Sequence, residues 1–255
     1  MPNLLGPFYH IYSWLLWRQI KDAPMPKHIG IILDGNRRFA REQNREPSYG
    51  HEQGAKRIDE VLDWCFDAGI KIVTIYVFST ENFDRAEEEV EKIMELAIQQ
   101  FLRAARSESI HRHRVRVRAI GRLSILPSEV ASAIQEAEES TQEYTQFQLN
   151  VAIGYGGRTE IVDAVRRIAE RVKAGEISPR AITTSTIEEH LYTAGIADPE
   201  LIIRTSGEER LSGFLLWQSA YSELYFADIY WPKIRKIDFW RALRTLQQRE
   251  RRFGR

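Results

Sequence analysis

The residues Ile29-Gly30-Ile31-Ile32-Leu33 form an apolar run that stops abruptly at Asp34-Gly35-Asn36-Arg37-Arg38. A short aliphatic stretch ended by a turn signal reads as a strand buried on both faces, the kind found in parallel sheets covered by helices. Ligands on such sheets bind outside the carboxyl ends of the strands. The run therefore delivers a carboxylate, a glycine, an amide and two guanidiniums to the edge where an α/β protein does its chemistry. Gly35 lets backbone N–H groups approach an anion, the arginines can take phosphate oxygens two at a time, and Asp34 can hold a divalent metal. The plainer alternative is an ordinary strand-to-helix turn, with Asp or Asn capping the helix.

The same pattern recurs along the chain. Lys71–Phe78 is β-branched and aromatic and ends in Ser79-Thr80-Glu81-Asn82-Phe83-Asp84-Arg85. Val115–Ile120 reads as a third strand, and Phe147–Ile153 as a fourth that runs into Gly154-Tyr155-Gly156-Gly157-Arg158. Leu201-Ile202-Ile203 is a short buried strand ending in Arg204-Thr205-Ser206-Gly207-Glu208. Helical spacing fills the intervals. It links Ile58, Val61, Leu62, Cys65 and Ala68 before a stop at Gly69, then Val90 to Ala105, then Ile161 to Val172 before Gly175, and finally Phe239–Arg252. Pro127 opens one helix, and Thr186-Ile187-Glu188-Glu189 reads as the capping box of another. No repeat, low-complexity tract or linker interrupts the alternation. The expectation is a single open α/β domain over 26–255, with a mainly parallel sheet flanked by helices, preceded by an N-terminal segment over 1–25.

Composition removes other classes. The 36 Lys and Arg balance the 36 Asp and Glu, so net charge offers nothing to nucleic acid. The runs Arg112–Arg118 and Arg241–Arg255 read as solvated faces without a nucleic-acid motif. The one cysteine, Cys65, excludes an intramolecular disulfide and suits a reducing, cytoplasmic setting. No CxxC or HExxH supplies a zinc site. The aromatic stretch Phe8–Trp17 is too short to span a bilayer and lacks the features of a signal peptide. It can pack on its own domain, which is the expectation, or lie peripherally at a membrane surface.

Four strand ends thus carry polar clusters, at Asp34–Arg38, Ser79–Arg85, Gly154–Arg158 and Arg204–Ser212. Beside them stand apolar walls such as Phe39, Phe78, Phe83 and Trp217. Acid, amide, hydroxyl and arginine groups beside greasy walls suit an anionic head with a hydrocarbon tail. Neither GxxxxGK[ST] nor GxGxxG is present, so nucleoside triphosphates and dinucleotides lose their usual motif.

The stretches HIGIILDGNRRFA, GH..GA, FSTENF.R, LNVAIGYGGR, IRTSGE.RLSGFLLWQ, ELYF..I.WP and RERRFG occur in this order from about Pro26 to the C-terminus. Together they resemble the cis-prenyltransferase (undecaprenyl or dehydrodolichyl diphosphate synthase) family, in a spelling similar to its archaeal and eukaryotic members. The resemblance implies condensation of isopentenyl diphosphate with an allylic diphosphate, with Mg2+, each new double bond being cis. It implies an α/β fold with a hydrophobic tunnel. Asp34 would be the essential, metal-bearing carboxylate. Gly35, Asn36, Arg37 and Arg38 would cradle the allylic diphosphate, with Phe39 as wall and His51 close by. Arg204, Arg210, Leu211 and Ser212 match the isopentenyl diphosphate side. Ser79 and Asn82 match positions tied to substrate orientation and proton removal, and Thr80, Glu81, Phe83 and Arg85 belong to the same mouth. Arg252 and Gly254 match an RxG end that reaches the partner's site in a homodimer.

Some positions depart from the family pattern. Pro47 stands where many bacterial members carry an arginine, with Arg45 the nearest substitute, and Glu209 replaces a bacterial metal-holding histidine. Glu223 is retained and is the second metal candidate. Rival readings lack their signatures. An Asp-dependent phosphotransferase usually shows a second aspartate where Asn36 stands, and the helical trans-prenyltransferases need DDxxD. A non-catalytic partner subunit would lose the Asp34-Gly35-Asn36 cluster.

Overall fold

The computed structural model of the chain describes residues 6–249, with side chains from Tyr9 onward. Arg252 and Gly254 lie outside the described residues. Six strands form one sheet in the order β3-β4-β2-β1-β5-β6: β1 (His28–Ile32), β2 (Ile72–Ser79), β3 (Val115–Ile120), β4 (Phe147–Tyr155), β5 (Leu201–Arg204) and β6 (Glu223–Phe226). The β1–β5, β3–β4 and β5–β6 pairings are parallel. The helices are α1 (Gly6–Ile20), α2 (Asn36–Glu42), α3 (Pro47–Ala68), α4 (Glu87–Arg106), α5 (Glu108–Arg112), α6 (Ser128–Thr141), α7 (Gly157–Lys173), α8 (Thr184–Glu188) and α9 (Lys236–Gln248). This is the open α/β fold that the alternation predicts. Among the described residues no helix is long and apolar enough to cross a membrane.

The chain divides into two compact units: Met1–Val73 with Pro199–Glu209 and Ser222–Arg255, and Thr74–Asp198 with Arg210–Tyr221. The backbone passes between them four times, so no linker composition marks the division in the sequence.

In the first unit all five residues of β1 are buried. The register sets Ile29 beside Leu201 and Ile32 beside Arg204, then Leu201 beside Glu223 and Arg204 beside Phe226. Ile32, Arg204 and Phe226 are therefore abreast at the carboxyl end, and the Asp34 and Thr205–Glu208 turns leave from there. α1 packs on α9. Leu16 and Ile20 are buried, and the Trp17 ring lies 4.8 Å from that of Trp240. Each such burial contributes roughly 1.5–3 kcal/mol. The opposite side of α1 leaves Ile11, Trp14 and Leu15 exposed. α3 begins at Pro47, earlier than the apolar spacing suggests, because a proline at the first turn is pre-set for helix and its missing N–H costs nothing there. Gly69, at φ 72°, ends α3 as expected.

In the second unit β3 and β4 pair from Val115–Phe147 to Ile120–Ala152. Buried Asn150 donates to Thr74 Oγ1 at 3.0 Å, and Thr141 Oγ1 accepts the Val117 N–H at 3.1 Å, so these two buried side chains are paired. One detail differs from the sequence reading. The capping box of α8 is Thr183 with Thr186, each hydroxyl accepting the other's backbone N–H, three residues earlier than expected. A threonine hydroxyl takes the part usually given to Glu or Gln.

Candidate active site

The first unit builds its half of the polar edge around Asp34. Its carboxylate accepts from Arg204, whose Nη2 lies at 2.7 Å and Nε at 3.3 Å from Oδ2. The Gly35 N–H donates to Oδ1 at 2.7 Å, and Arg38 Nη2 stands 3.7 Å from the same oxygen. Arg204 is 4% exposed. Burial pushes the Asp34 carboxyl upward, but the Arg204 bond and charge, the Gly35 N–H and the Arg38 charge outweigh it and hold the group below the usual Asp range. Asp34 is thus kept anionic.

The backbone of that turn is fixed equally firmly. Thr205 Oγ1 donates to the Asp34 carbonyl at 2.7 Å and accepts the Asp34 N–H at 3.0 Å, while the Trp231 N–H reaches the same carbonyl at 3.0 Å. Gly35 adopts φ +102°, and a Cβ there would sit 2.8 Å from the Tyr230 ring, so only glycine fits. No side chain caps α2, contrary to the plainer reading of Asp34 or Asn36 as a cap. Arg38 donates to Ser206 Oγ, pairs with Glu208 at 3.2 Å and lies over the Tyr230 ring. Ser206 itself holds φ 77°, a conformation few non-glycine residues adopt, at the head of the turn after β5. Phe39 stacks on Tyr49, whose other neighbour is Arg45. Arg37 is exposed on the first turn of α2, and His51 lies within α3.

Glu223 is placed elsewhere. It opens β6 level with Ile29, roughly 10 Å along the strands from Ile32, and its carboxylate pairs with Arg249. Within one chain the register does not bring it to Asp34. Among the described residues no three His, Cys, Asp or Glu side chains gather around a metal position. A divalent ion at Asp34 would draw its other ligands from water and substrate oxygens, which is the habit of Mg2+. An anionic carboxylate at a strand end fits that ion.

The second unit gathers the other predicted clusters. Ser79 and Asn82 form a reciprocal cap over the turn after β2, with Asn82 Oδ1 accepting the Ser79 N–H at 3.0 Å. Phe83 packs edge-on against Phe78 at 4.9 Å, and Arg85 pairs with Glu89 at 3.0 Å. Gly156 and Gly157 explain the glycine pair after β4. A Cβ on the first would meet Thr80 Oγ1 at 2.6 Å, and one on the second would meet the Gly213 carbonyl at 2.5 Å. Glu81 lies in the same short turn as Asn82 and Phe83. Arg210 and Ser212 are exposed and Leu211 is partly so, with Ser212 at φ 48°. Tyr76 donates towards the Ser212 carbonyl at 3.4 Å.

Thr205, Tyr230 and Trp231 carry no role that the sequence alone shows, although they fall within the IRTSGE and ELYF..I.WP stretches. Their signal was available only as a motif, because they act through backbone groups of Asp34 and Gly35.

An arginine-held carboxylate at the carboxyl end of parallel strands suits an α/β protein that binds its ligand beyond the strand ends. A family model described as "Putative undecaprenyl diphosphate synthase" (Prenyltransf) matches residues 32–254. The chain is 55% identical over 251 residues to a tritrans,polycis-undecaprenyl-diphosphate synthase (geranylgeranyl-diphosphate specific) of Methanopyrus kandleri, covering 98% of this chain and 93% of that protein. It is 54% identical over 256 residues to an isoprenyl transferase of Thermus thermophilus, covering 99% and 97%. The crystal structure of lavandulyl diphosphate synthase from Lavandula x intermedia, in complex with dimethylallyl diphosphate, superposes with a TM-score of 0.85 at 33% identity, covering 91% of this chain and 99% of that one. The chain belongs to this family, the cis-prenyltransferases, and is a prenyltransferase.

Proposed function

We propose that the enzyme condenses isopentenyl diphosphate with an allylic diphosphate, in the presence of Mg2+, to make a Z-polyprenyl diphosphate. The observation that carries the reading is the Asp34 carboxylate, kept anionic by Arg204 beside Arg38. The name of the Methanopyrus relative supports geranylgeranyl diphosphate as the primer. In the reaction the allylic C–O bond breaks, a C–C bond forms to the isopentenyl unit, and one proton leaves to an oxygen of the released diphosphate. Bound at Asp34, Mg2+ would supply charge neutralisation of the diphosphate oxygens. Arg37 and Arg38 would take the allylic head, whose charge grows as the bond breaks. Arg204 would take the isopentenyl head, a part that the resemblance also implies for Arg210, Leu211 and Ser212. Holding both substrates converts a bimolecular encounter into an oriented one. An amide is a poor base, so the part proposed for Asn82, whose Oδ1 accepts the Ser79 N–H, is orientation together with Ser79. The growing tail calls for a hydrophobic tunnel, with the apolar stripe of α4 as its candidate wall.

The functional unit is proposed to be a homodimer, with Arg252 and Gly254 reaching the partner's site as the resemblance implies. Val162 and Val165, exposed on the outer side of α7, support an apolar face for a second copy. Peripheral contact of a cytoplasmic enzyme with a membrane is proposed through Ile11, Trp14 and Leu15 of α1. The deciding assay supplies radiolabelled isopentenyl diphosphate, Mg2+ and a series of allylic primers, and resolves products by length. Incorporation that requires both Mg2+ and a primer is expected; none with any primer would overturn the reading. Mixing Asp34→Ala with Arg252→Ala protein is expected to recover part of the activity, and no recovery would argue against sharing across the dimer.

A further inference from the structure

Gly50 and Gly54 stand one turn apart inside α3, in ordinary helical backbone. Glycine weakens a helix interior relative to alanine, so two in one stripe call for another reason. Space provides it. A Cβ on Gly50 would lie 2.1 Å from the Asn36 carbonyl oxygen, and one on Gly54 would lie 2.4 Å from Asn36 Oδ1 and 3.0 Å from the Trp231 ring. The glycines thus form a notch into which the start of α2 is pressed.

Asn36 in turn grips the turn before it. Its Nδ2 donates to the Leu33 carbonyl at 3.1 Å, while its buried Oδ1 has no hydrogen-bond partner and lies against Gly54. Both ends of the amide are engaged or enclosed by protein, which separates Asn36 from the arginines that follow it. Trp231 closes the frame. Its indole N–H donates to the Gly54 carbonyl at 2.8 Å, and its backbone N–H donates to the Asp34 carbonyl. Arg57, one turn further along α3, donates to the Pro232 carbonyl at 3.1 Å.

We infer that Gly54, together with Gly50, is a positioning residue for Asp34: the notch sets how deeply Asn36 seats, and the Asn36–Leu33 and Trp231–Asp34 bonds pass that depth to the carboxylate. The inference rests on the prenyl-transfer reading of the site. Gly54→Ala is expected to lower kcat for isopentenyl incorporation about a hundredfold, the scale of a misplacement near 1 Å, with KM changed less than about threefold. Asn36→Ala removes the amide that the new methyl group meets. In that background the Gly54→Ala penalty should shrink to about tenfold or less, a coupling that loss of stability elsewhere would not produce. Val61→Ala, at a buried position on the same helix, should lower the unfolding temperature and leave kcat of the folded enzyme unchanged.

A folded Gly54→Ala enzyme with wild-type kcat would overturn the inference. Equal penalties in the two backgrounds, or an equal kcat loss in Val61→Ala, would do the same. If Gly54→Ala alone does not fold, recovery of folding in the Asn36→Ala/Gly54→Ala double variant supports the notch, and continued failure overturns it. A wild-type enzyme that incorporates no isopentenyl diphosphate would remove the reaction itself, an outcome distinct from an active wild type with an active Gly54→Ala variant.

Discussion

Asp34 and Glu160 are both carboxylates placed just beyond the carboxyl end of a buried strand, and their surroundings push them in opposite directions. Asp34, in the first unit, keeps part of its surface open and faces the guanidiniums of Arg204 and Arg38. Glu160, in the second, is fully buried in the first turn of α7. Neutral donors hold it: the Tyr155 hydroxyl, Gln218 Nε2 at 3.2 Å from both oxygens, and the Tyr192 N–H at 2.9 Å. Burial raises the Glu160 carboxyl, and hydrogen bonds from Tyr155, Gln218 and the Tyr192 and Thr193 backbone oppose it only in part. For Asp34 the added cations win over burial. A carboxylate that keeps its charge is set among arginines; one that ties a helix to its neighbours is set among dipoles.

The largest expected effect tests that division directly. Asp34→Asn keeps the shape and removes the charge, and should cut turnover by about a thousandfold or more, given what charged groups contribute in such sites. Far-UV circular dichroism should remain that of the wild type. A turnover within tenfold of wild type would erase the distinction between the two carboxylates. Arg204→Lys comes next. A lysine lacks the rigid planar fork through which Arg204 sets Nε and Nη2 against Asp34 Oδ2, so a loss of about a hundredfold in kcat/KM is expected. Full retention would mean that charge alone suffices. Glu160→Ala reverses the pattern. It strands several buried donors and should cost about 3 kcal/mol of stability by denaturant titration. Turnover per folded molecule should stay within about threefold. A selective loss of turnover would give Glu160 a catalytic part.

The sequence carried the open α/β sheet because alternating apolar runs and helical spacing are local patterns. It also carried the Asp34–Arg38 and Arg204 clusters, since both stand immediately after strands whose period is plain. Three features were less legible. The division into two units has no linker, because the chain crosses between them repeatedly. Glu160 looked like any polar residue opening a helix, since its enclosure depends on Gln218 and Tyr192, far along the chain. Glu223 was carried forward by resemblance, and register alone puts it level with Ile29, at the end of the strands away from Asp34. Pairing of distant residues, absent from any local pattern, decides all three.

The smallest effect, and the most diagnostic of opposite environments, is the pH dependence of stability. Asp34 has a folded value below its ordinary 3.8, so its contribution is fully present above that value and is lost as pH falls through the lowered one. Glu160 has a folded value above its ordinary 4.5, so the folded state favours its protonated form. The resulting stabilisation is present below 4.5 and is lost as pH rises through the raised value. Urea titrations of wild type, Asp34→Asn and Glu160→Gln between about pH 3 and pH 8 separate the two slopes. The difference between wild type and Asp34→Asn should shrink towards acid. Wild type should lose ground to Glu160→Gln on going from acid towards neutrality. A difference between wild type and Asp34→Asn that grows towards acid would mean that the arginines around Asp34 do not outweigh its burial, and the case for a permanently charged carboxylate at the strand edge would fail.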